Sequence, residues 1–185
     1  NTGLRWCREA GAEIVILLDS DCLAKPGFIG AHIRLQSENP GVACIGGAIQ
    51  GIGPGPWARL DALMSWFTSM PGAPAGIVNG PYHLPTTNMS LKLKSLLPTD
   101  HVFDSSLRTG ENPLFIKELR KRGETVLFSP EPEIVHRDRT TFSEVFLHQY
   151  RWGLHTYVMR IGGKNLGAGH RALFICAFVT GYPLY

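Results

Sequence analysis

Apolar residues follow two periods along this chain. Short runs rich in β-branched residues read as strands, and stretches with apolar positions three and four apart read as helices. The run from Glu13 through "IVILL", 13 to 18, predicts a buried strand, after a helix over 3 to 10 that Gly11 closes. Beyond it, Pro26 suits the first turn of a helix over 26 to 38, stopped by Asn39-Pro40-Gly41. "VACIGGAIQG", 42 to 51, reads as a second strand, and a Gly/Pro turn at 53 to 56 leads into a helix over 57 to 70. A loop rich in Gly and Pro fills 71 to 81, and 86 to 97 reads as a short strand running into a short helix. A helix over 112 to 122 ends at Gly123, and strands are expected at 125 to 130 and 133 to 136. Thr141 and Glu144 have capping-box spacing and open a long helix to about Ile161. Strands alternating with helices imply an α/β layered fold.

The strand at 14 to 18 stops on Asp19-Ser20-Asp21, two carboxylates one residue apart. In an open α/β sheet, ligands bind beyond the carboxyl ends of the strands. Residues i and i+2 of an extended chain point the same way. Two like charges held together need a cation or must share a proton, and a hard divalent metal bridging carboxylate and phosphate oxygens satisfies them. Asp and Ser are also ordinary turn residues, and on this short, frequent motif alone a turn or a helix cap is the favoured reading.

Composition narrows the class. The chain has 185 residues, 44% apolar and 18% charged, with a mean hydropathy near zero. That suits one globular domain with its own core and excludes a disordered chain. Net charge is +3, and the basic residues are dispersed, so no nucleic-acid surface is indicated. Cys7, Cys22, Cys44 and Cys176 have neither the spacing of a zinc site nor that of a small disulfide framework, and read as free thiols in a reducing compartment. No signal peptide opens the sequence, and Asn1 is not a start residue, so the chain reads as cut from something longer. "RALFICAFVTGYPLY", 171 to 185, is apolar after Arg171 but shorter than the roughly 20 residues that span a bilayer, and is read as the start of a membrane helix. The expected division is a domain over 1 to 170 and this tail.

The segment "NTGLRWCREAGAEIVILLDSDCLAKPGFI" resembles family 2 glycosyltransferases, in which a helix leads into a strand ending in D-x-D, followed by a Pro-Gly turn. The resemblance continues in order through "TTNMSLK" at 86 to 92, "FDSSLRTGENPLFIKELRKRG" at 103 to 123, "LFSPEPEIVHR" at 127 to 137 and "QYRWG" at 149 to 153. Each piece is weak alone, and their order carries the likeness. It implies a GT-A fold, a Rossmann-like and mostly parallel sheet with flanking helices. Here it would lack the first two βα units, which carry the nucleobase half of the site. It implies transfer of a sugar from a nucleotide-diphosphate donor to an acceptor hydroxyl, with inversion. The acceptor would be a glycan, a lipid carrier or an exopolysaccharide, and the enzyme would sit at the cytoplasmic face of a membrane.

The same resemblance implies roles for particular residues. Asp21 and Asp19 would meet Mg²⁺ or Mn²⁺ and the nucleotide, with Asp21 the firmer metal ligand, and His136 would be a third ligand. Asn88 would hydrogen-bond the donor sugar or order the acceptor loop. Arg151 and Trp152 would lie near the diphosphate and the acceptor. The family's base is an aspartate after a glutamate; here Glu111 is followed by Asn112, and an amide cannot take up a proton. Three outcomes stay open: Glu111 supplies the carboxylate, another such as Asp104 or Glu118 does, or the chain is slow or inert. Two rivals follow: a glycosyltransferase-like domain that only binds or scaffolds, and a nucleotidyltransferase.

Overall fold

The computed structural model describes residues 1–79, 84–96, 102–103 and 111–161, with backbone alone for 154–161. Its strands are β1 (Ile14–Leu18), β2 (Cys22–Ala24), β3 (Val42–Ile52), β4 (Gly76–Ile77), β5 (Asn88–Lys92) and β6 (Thr125–Arg137). Its helices are α1 (Thr2–Glu9), α2 (Phe28–Glu38), α3 (Gly55–Trp66), α4 (Glu111–Lys121) and α5 (Phe142–Ile161), with a 3₁₀ turn at Leu93–Ser95. The α/β layering holds. The tail over 171 to 185 lies outside the described residues, as do Asp104 and the start of the segment leading to Glu111.

The sheet order is β1-β5-β3-β6-β2, with β4 also on β6. Only the β3–β6 pair is parallel; β1–β5, β5–β3, β6–β2 and β6–β4 are antiparallel. The expected mostly parallel pairing is therefore replaced by a mixed sheet. The reason is β5, which runs backwards between β1 and β3. Those two flanking strands and β6 still share one direction, so their carboxyl ends and the amino end of β5 meet at one edge. Leu18 and Cys22 are four residues apart, a reach of at most about 14 Å. A flat sheet would separate the outermost strands by about 19 Å. Since β1 and β2 stand at opposite ends of the order, the sheet curls to bring them together.

Residue alternation explains the layers. Cys44, Ala48, Met89 and Leu91 face a core with Leu4 of α1 and Phe115, Ile116 and Leu119 of α4. On the other face, Ile49 and its β6 neighbour Ile134 are fully buried with Phe28 of α2 and Trp66 of α3. Burying one such side chain stabilises by about 1.5–3 kcal/mol.

Several local expectations change. β1 is half-buried rather than buried, because it ends the sheet order and has a single partner. Pro26 precedes α2 instead of entering it; Gly27, at φ 83°, makes the left-handed entry that a side chain would strain. The strands expected at 125 to 130 and 133 to 136 are one strand, β6, through Pro130 and Pro132. It tolerates the prolines through an irregularity: Gly46 pairs with Phe128, while Ala48 pairs with Glu133. The short β4 lies in the stretch read as a loop, and the short β2 was not expected. The capping box at α5 forms, with the Thr141 N–H donating to Glu144 Oε2 at 3.2 Å and the Glu144 N–H to Thr141 Oγ1 at 3.4 Å.

Candidate functional site

Beneath the strand ends, α2 packs on the polar face of β5. Asn88 is fully buried, donating from Nδ2 to the carbonyls of Ala48 and Pro132, each at 2.8 Å. This joins β5, β3 and β6, and it requires glycine at 47, where a Cβ would lie 2.4 Å from Asn88 Nδ2. With both hydrogens spent on carbonyls, Asn88 Oδ1 accepts from His32 Nε2 at 2.9 Å. His32 Nδ1 then accepts from Ser90 Oγ at 3.1 Å. Burial lowers the pKa of His32, opposed by the Asn88 hydrogen bond. The hydrogen bonding of Asn88 thus lies within the protein, not toward the rim where a donor sugar would sit.

Above this floor the two aspartates part company. The Cys22 N–H donates to the Asp19 carbonyl at 3.2 Å, so 19 to 22 is a tight turn, not extended chain. The alternation that would have aimed both carboxylates one way is lost. Asp19 Oδ2 accepts from Thr87 Oγ1 at 2.9 Å, just before β5. The neighbouring Thr86 donates to Asn112 Oδ1 at 3.0 Å. The start of α4 is thereby tied to the same edge as Asp19. Glu111 has a buried Oε2 without a hydrogen-bond partner among the described residues.

Asp21 turns instead toward β6. Its Oδ2 lies 3.7 Å from His136 Nε2, and its Oδ1 3.7 Å from Cys22 Sγ. Among the described residues, Asp21, Cys22 and His136 form a cluster whose donor atoms all lie within 4.8 Å of one another. Cys22 was read as a free thiol; adjacency to Asp21 was the only sequence signal, and the β2–β6 pairing places it opposite His136. The Cys22 thiol is pushed up to about 12, first by burial and then by the charges of Asp21 and Asp19.

His136 is itself held. Its Nδ1 lies 2.8 Å from Asp138 Oδ1, which also accepts from Trp66 Nε1 at 2.9 Å. The Trp66 and His136 rings meet edge to face at 4.8 Å. Asp138 Oδ2 is buried without a hydrogen-bond partner among the described residues, over Gly51, where a Cβ would lie 1.9 Å from it. With Nδ1 donating to Asp138, Nε2 is the ring nitrogen that faces Asp21. A carboxylate fixing the tautomer of a ligating histidine is a common companion of metal sites. Asp138 was not picked from sequence, although "HRD" carries the two-residue spacing that puts side chains on one strand face.

Arg151 is exposed on α5, and Trp152 is half-buried with its ring 5.7 Å from that of His148. His148 Nδ1 stands 3.5 Å from Asp61, a buried carboxylate on α3 that also accepts from the Arg139 N–H and Nη1, each at 3.0 Å. Burial pushes Asp61 up, but the hydrogen bonds from His148 and Arg139 and the Arg139 charge outweigh it and hold the group at about 2. This hub locks α3 to the strand end beyond His136 and to α5.

No family model matches the chain. No curated protein matches it. Among solved structures, the crystal structure of A197 from STIV is similar with a TM-score of 0.40 and 12% identity, over 74% of this chain and 72% of that one. A likeness at that level carries no argument about fold family or activity.

Proposed function

We propose that the chain is part of a GT-A-type, metal-assisted glycosyltransferase that moves a sugar from a nucleotide-diphosphate donor to an acceptor hydroxyl with inversion. One observation carries this reading: Asp19, Asp21, His136 and the start of α4 converge on a single strand-end edge. The donor set fits a cation, since His136 Nε2 faces the Asp21 carboxylate at 3.7 Å, too far for a hydrogen bond and close enough for both to reach one ion. Bound there, a divalent cation, Mg²⁺ or Mn²⁺ by the resemblance, supplies charge neutralisation for the leaving diphosphate.

The remaining roles belong to the chain. Asp21 and His136 hold the cation, and Asp138 keeps the His136 lone pair aimed at it. Asp19, braced by Thr87, faces the nucleotide. Glu111 is the base in this reading: its Oε2, at the start of α4, has no hydrogen-bond partner among the described residues and would take the acceptor proton. Arg151 and Trp152 are assigned to the diphosphate and acceptor by resemblance alone. Attachment to the cytoplasmic face of a membrane would rest on 171 to 185; among the described residues no helix is long and apolar enough to cross a bilayer.

A specific observation favours a second reading. Asn112 accepts from Thr86 and so serves as a brace where the family places its base. In this reading the domain binds a nucleotide-sugar without turning it over. The test is nucleoside-diphosphate release by the full-length chain, across a panel of nucleotide-sugars with and without Mn²⁺. Metal-dependent release that Glu111→Gln abolishes supports the enzyme. Binding without release, converted to release by Asn112→Asp, supports the inert domain. Neither binding nor release of any donor sinks both.

A further inference from the structure

We propose that Cys22 is the third ligand of the Asp21–His136 centre, and that the centre therefore takes a thiophilic divalent cation of the zinc class through a cysteine thiolate. The inference rests on the metal site of the preceding reading but does not require glycosyl transfer.

Three independent features place the thiol. Cys22 is the antiparallel register partner of His136, and directly opposed residues project from the same sheet face. The turn at 19 to 22 swings the Asp21 carboxylate over the same face, at 3.7 Å from both Sγ and Nε2, through its two oxygens. His136 is 7% exposed and its Nδ1 is committed to Asp138, so Nε2 is the ring nitrogen that faces the cluster.

The distances suit a small tetrahedral ion. Zinc bonds of about 2.3 Å to sulfur and 2.0–2.2 Å to nitrogen or oxygen set donor–donor separations of about 3.4–3.6 Å at tetrahedral angles. Two contacts in the cluster are 3.7 Å, each to a different Asp21 oxygen, and with one atom from each residue the three donors lie within 4.8 Å of one another. The Asp21 side chain is 65% exposed, so its rotamer is free to close the remaining gap. Asp19, which the sequence offered as a co-ligand, is held away on Thr87.

Ligand chemistry then decides the ion. One sulfur, one imidazole nitrogen and one carboxylate oxygen suit zinc, cobalt or cadmium far better than magnesium, which demands an octahedron of hard oxygens. Binding breaks the S–H bond heterolytically: the sulfur keeps the electron pair and bonds the metal, and one proton leaves to solvent. No electron is transferred. Three protein ligands leave a fourth position for water or a phosphate oxygen.

The full-length chain, stripped of metal, is titrated with Co²⁺ and Cd²⁺ while the thiolate-to-metal charge-transfer absorption is followed, and Zn²⁺ and Mn²⁺ are then used as competitors. The expected result is a charge-transfer band at one equivalent, lost in Cys22→Ser and in His136→Ala, with Zn²⁺ displacing Co²⁺ at least 100-fold more effectively than Mn²⁺. Should Cys22→Ser fail to fold, the unaltered chain still decides: Zn²⁺ must slow alkylation of Cys22 at least tenfold while leaving Cys7 unprotected. Metal binding without the band, or without protection of Cys22, overturns the thiolate. If Mn²⁺-dependent nucleotide-sugar turnover persists in Cys22→Ser in that case, the glycosyltransferase reading stands without it. A thiolate centre in a chain that neither binds nor cleaves nucleotide-sugars keeps this inference and removes that reading.

Discussion

Alanine at Gly51 would set a Cβ 1.9 Å from Asp138 Oδ2, so Gly51→Ala must push Asp138 away from His136. The expected cost is about 1–3 kcal/mol of stability, with a loss of metal affinity measurable in the same sample by calorimetry. Asp138→Asn is the milder probe. It keeps an acceptor for Nδ1 but removes the charge, and a 10–100-fold fall in metal affinity with an unchanged melting temperature is expected for a group that orients a ligand. An unchanged affinity would show that Asp138 only packs. Asn88→Ala strips partners from two carbonyls and from His32, all buried, and should cost about 3 kcal/mol in urea denaturation. Protonation acts in one direction at two of these residues. His32 and Asp61 both have pKa values below their ordinary 6.5 and 3.8, so the unfolded chain binds protons more readily than the folded one. Stability is therefore fully present above pH 6.5, falls as His32 is driven to charge, and falls again between 3.8 and about 2 at Asp61. Urea midpoints across pH 7.5 to 5 should decline in the natural chain and flatten in His32→Gln.

Helix ends and strand pairings show which features could be read from sequence. Thr141→Ala removes the α5 cap and should cost about 1 kcal/mol, read as a lowered melting temperature with the metal site unaffected. That cap was legible because it is local: three residues apart, two side chains and two N–H groups. β1, β3, β5 and all five helices were legible for the same reason, from apolar periodicity and from glycines such as Gly11 and Gly123 at φ 74° and 80°. Pairing was not. Nothing local says that β5 runs backwards between β1 and β3, or that "SPEP" is an irregularity within one strand, since both depend on neighbours far along the chain. The candidate site divides the same way. Asp19 and Asp21 drew notice as a D-x-D at a strand end, and His136 through the family resemblance. Cys22 and Asp138 matter only once β2 lies against β6, and the divergence of the two aspartates follows from a turn that Asp-Ser-Asp allows but does not dictate.

Taken whole, the domain carries surface that water does not favour. β1 ends the sheet order with a single partner, leaving one backbone edge open among the described residues. On α3 and α5 the exposed rings of Trp57, Phe142, Phe146 and Tyr150 follow one another at 5.1, 5.7 and 6.4 Å. The described residues should therefore self-associate with rising concentration. Sedimentation velocity checks this, and a clean monomer at high concentration would contradict it. At the strand-end edge, a cation on Asp21 and His136 would hold a diphosphate. The most direct test is calorimetry on the full-length chain with uridine, guanosine, adenosine, cytidine and thymidine diphosphates, with and without added Mn²⁺ or Zn²⁺. One nucleotide should bind at least tenfold more tightly with metal, a gain of about 1.4 kcal/mol, and Asp21→Asn should erase that gain while leaving metal-free binding unchanged. Nucleotide binding indifferent both to metal and to Asp21→Asn would contradict the account.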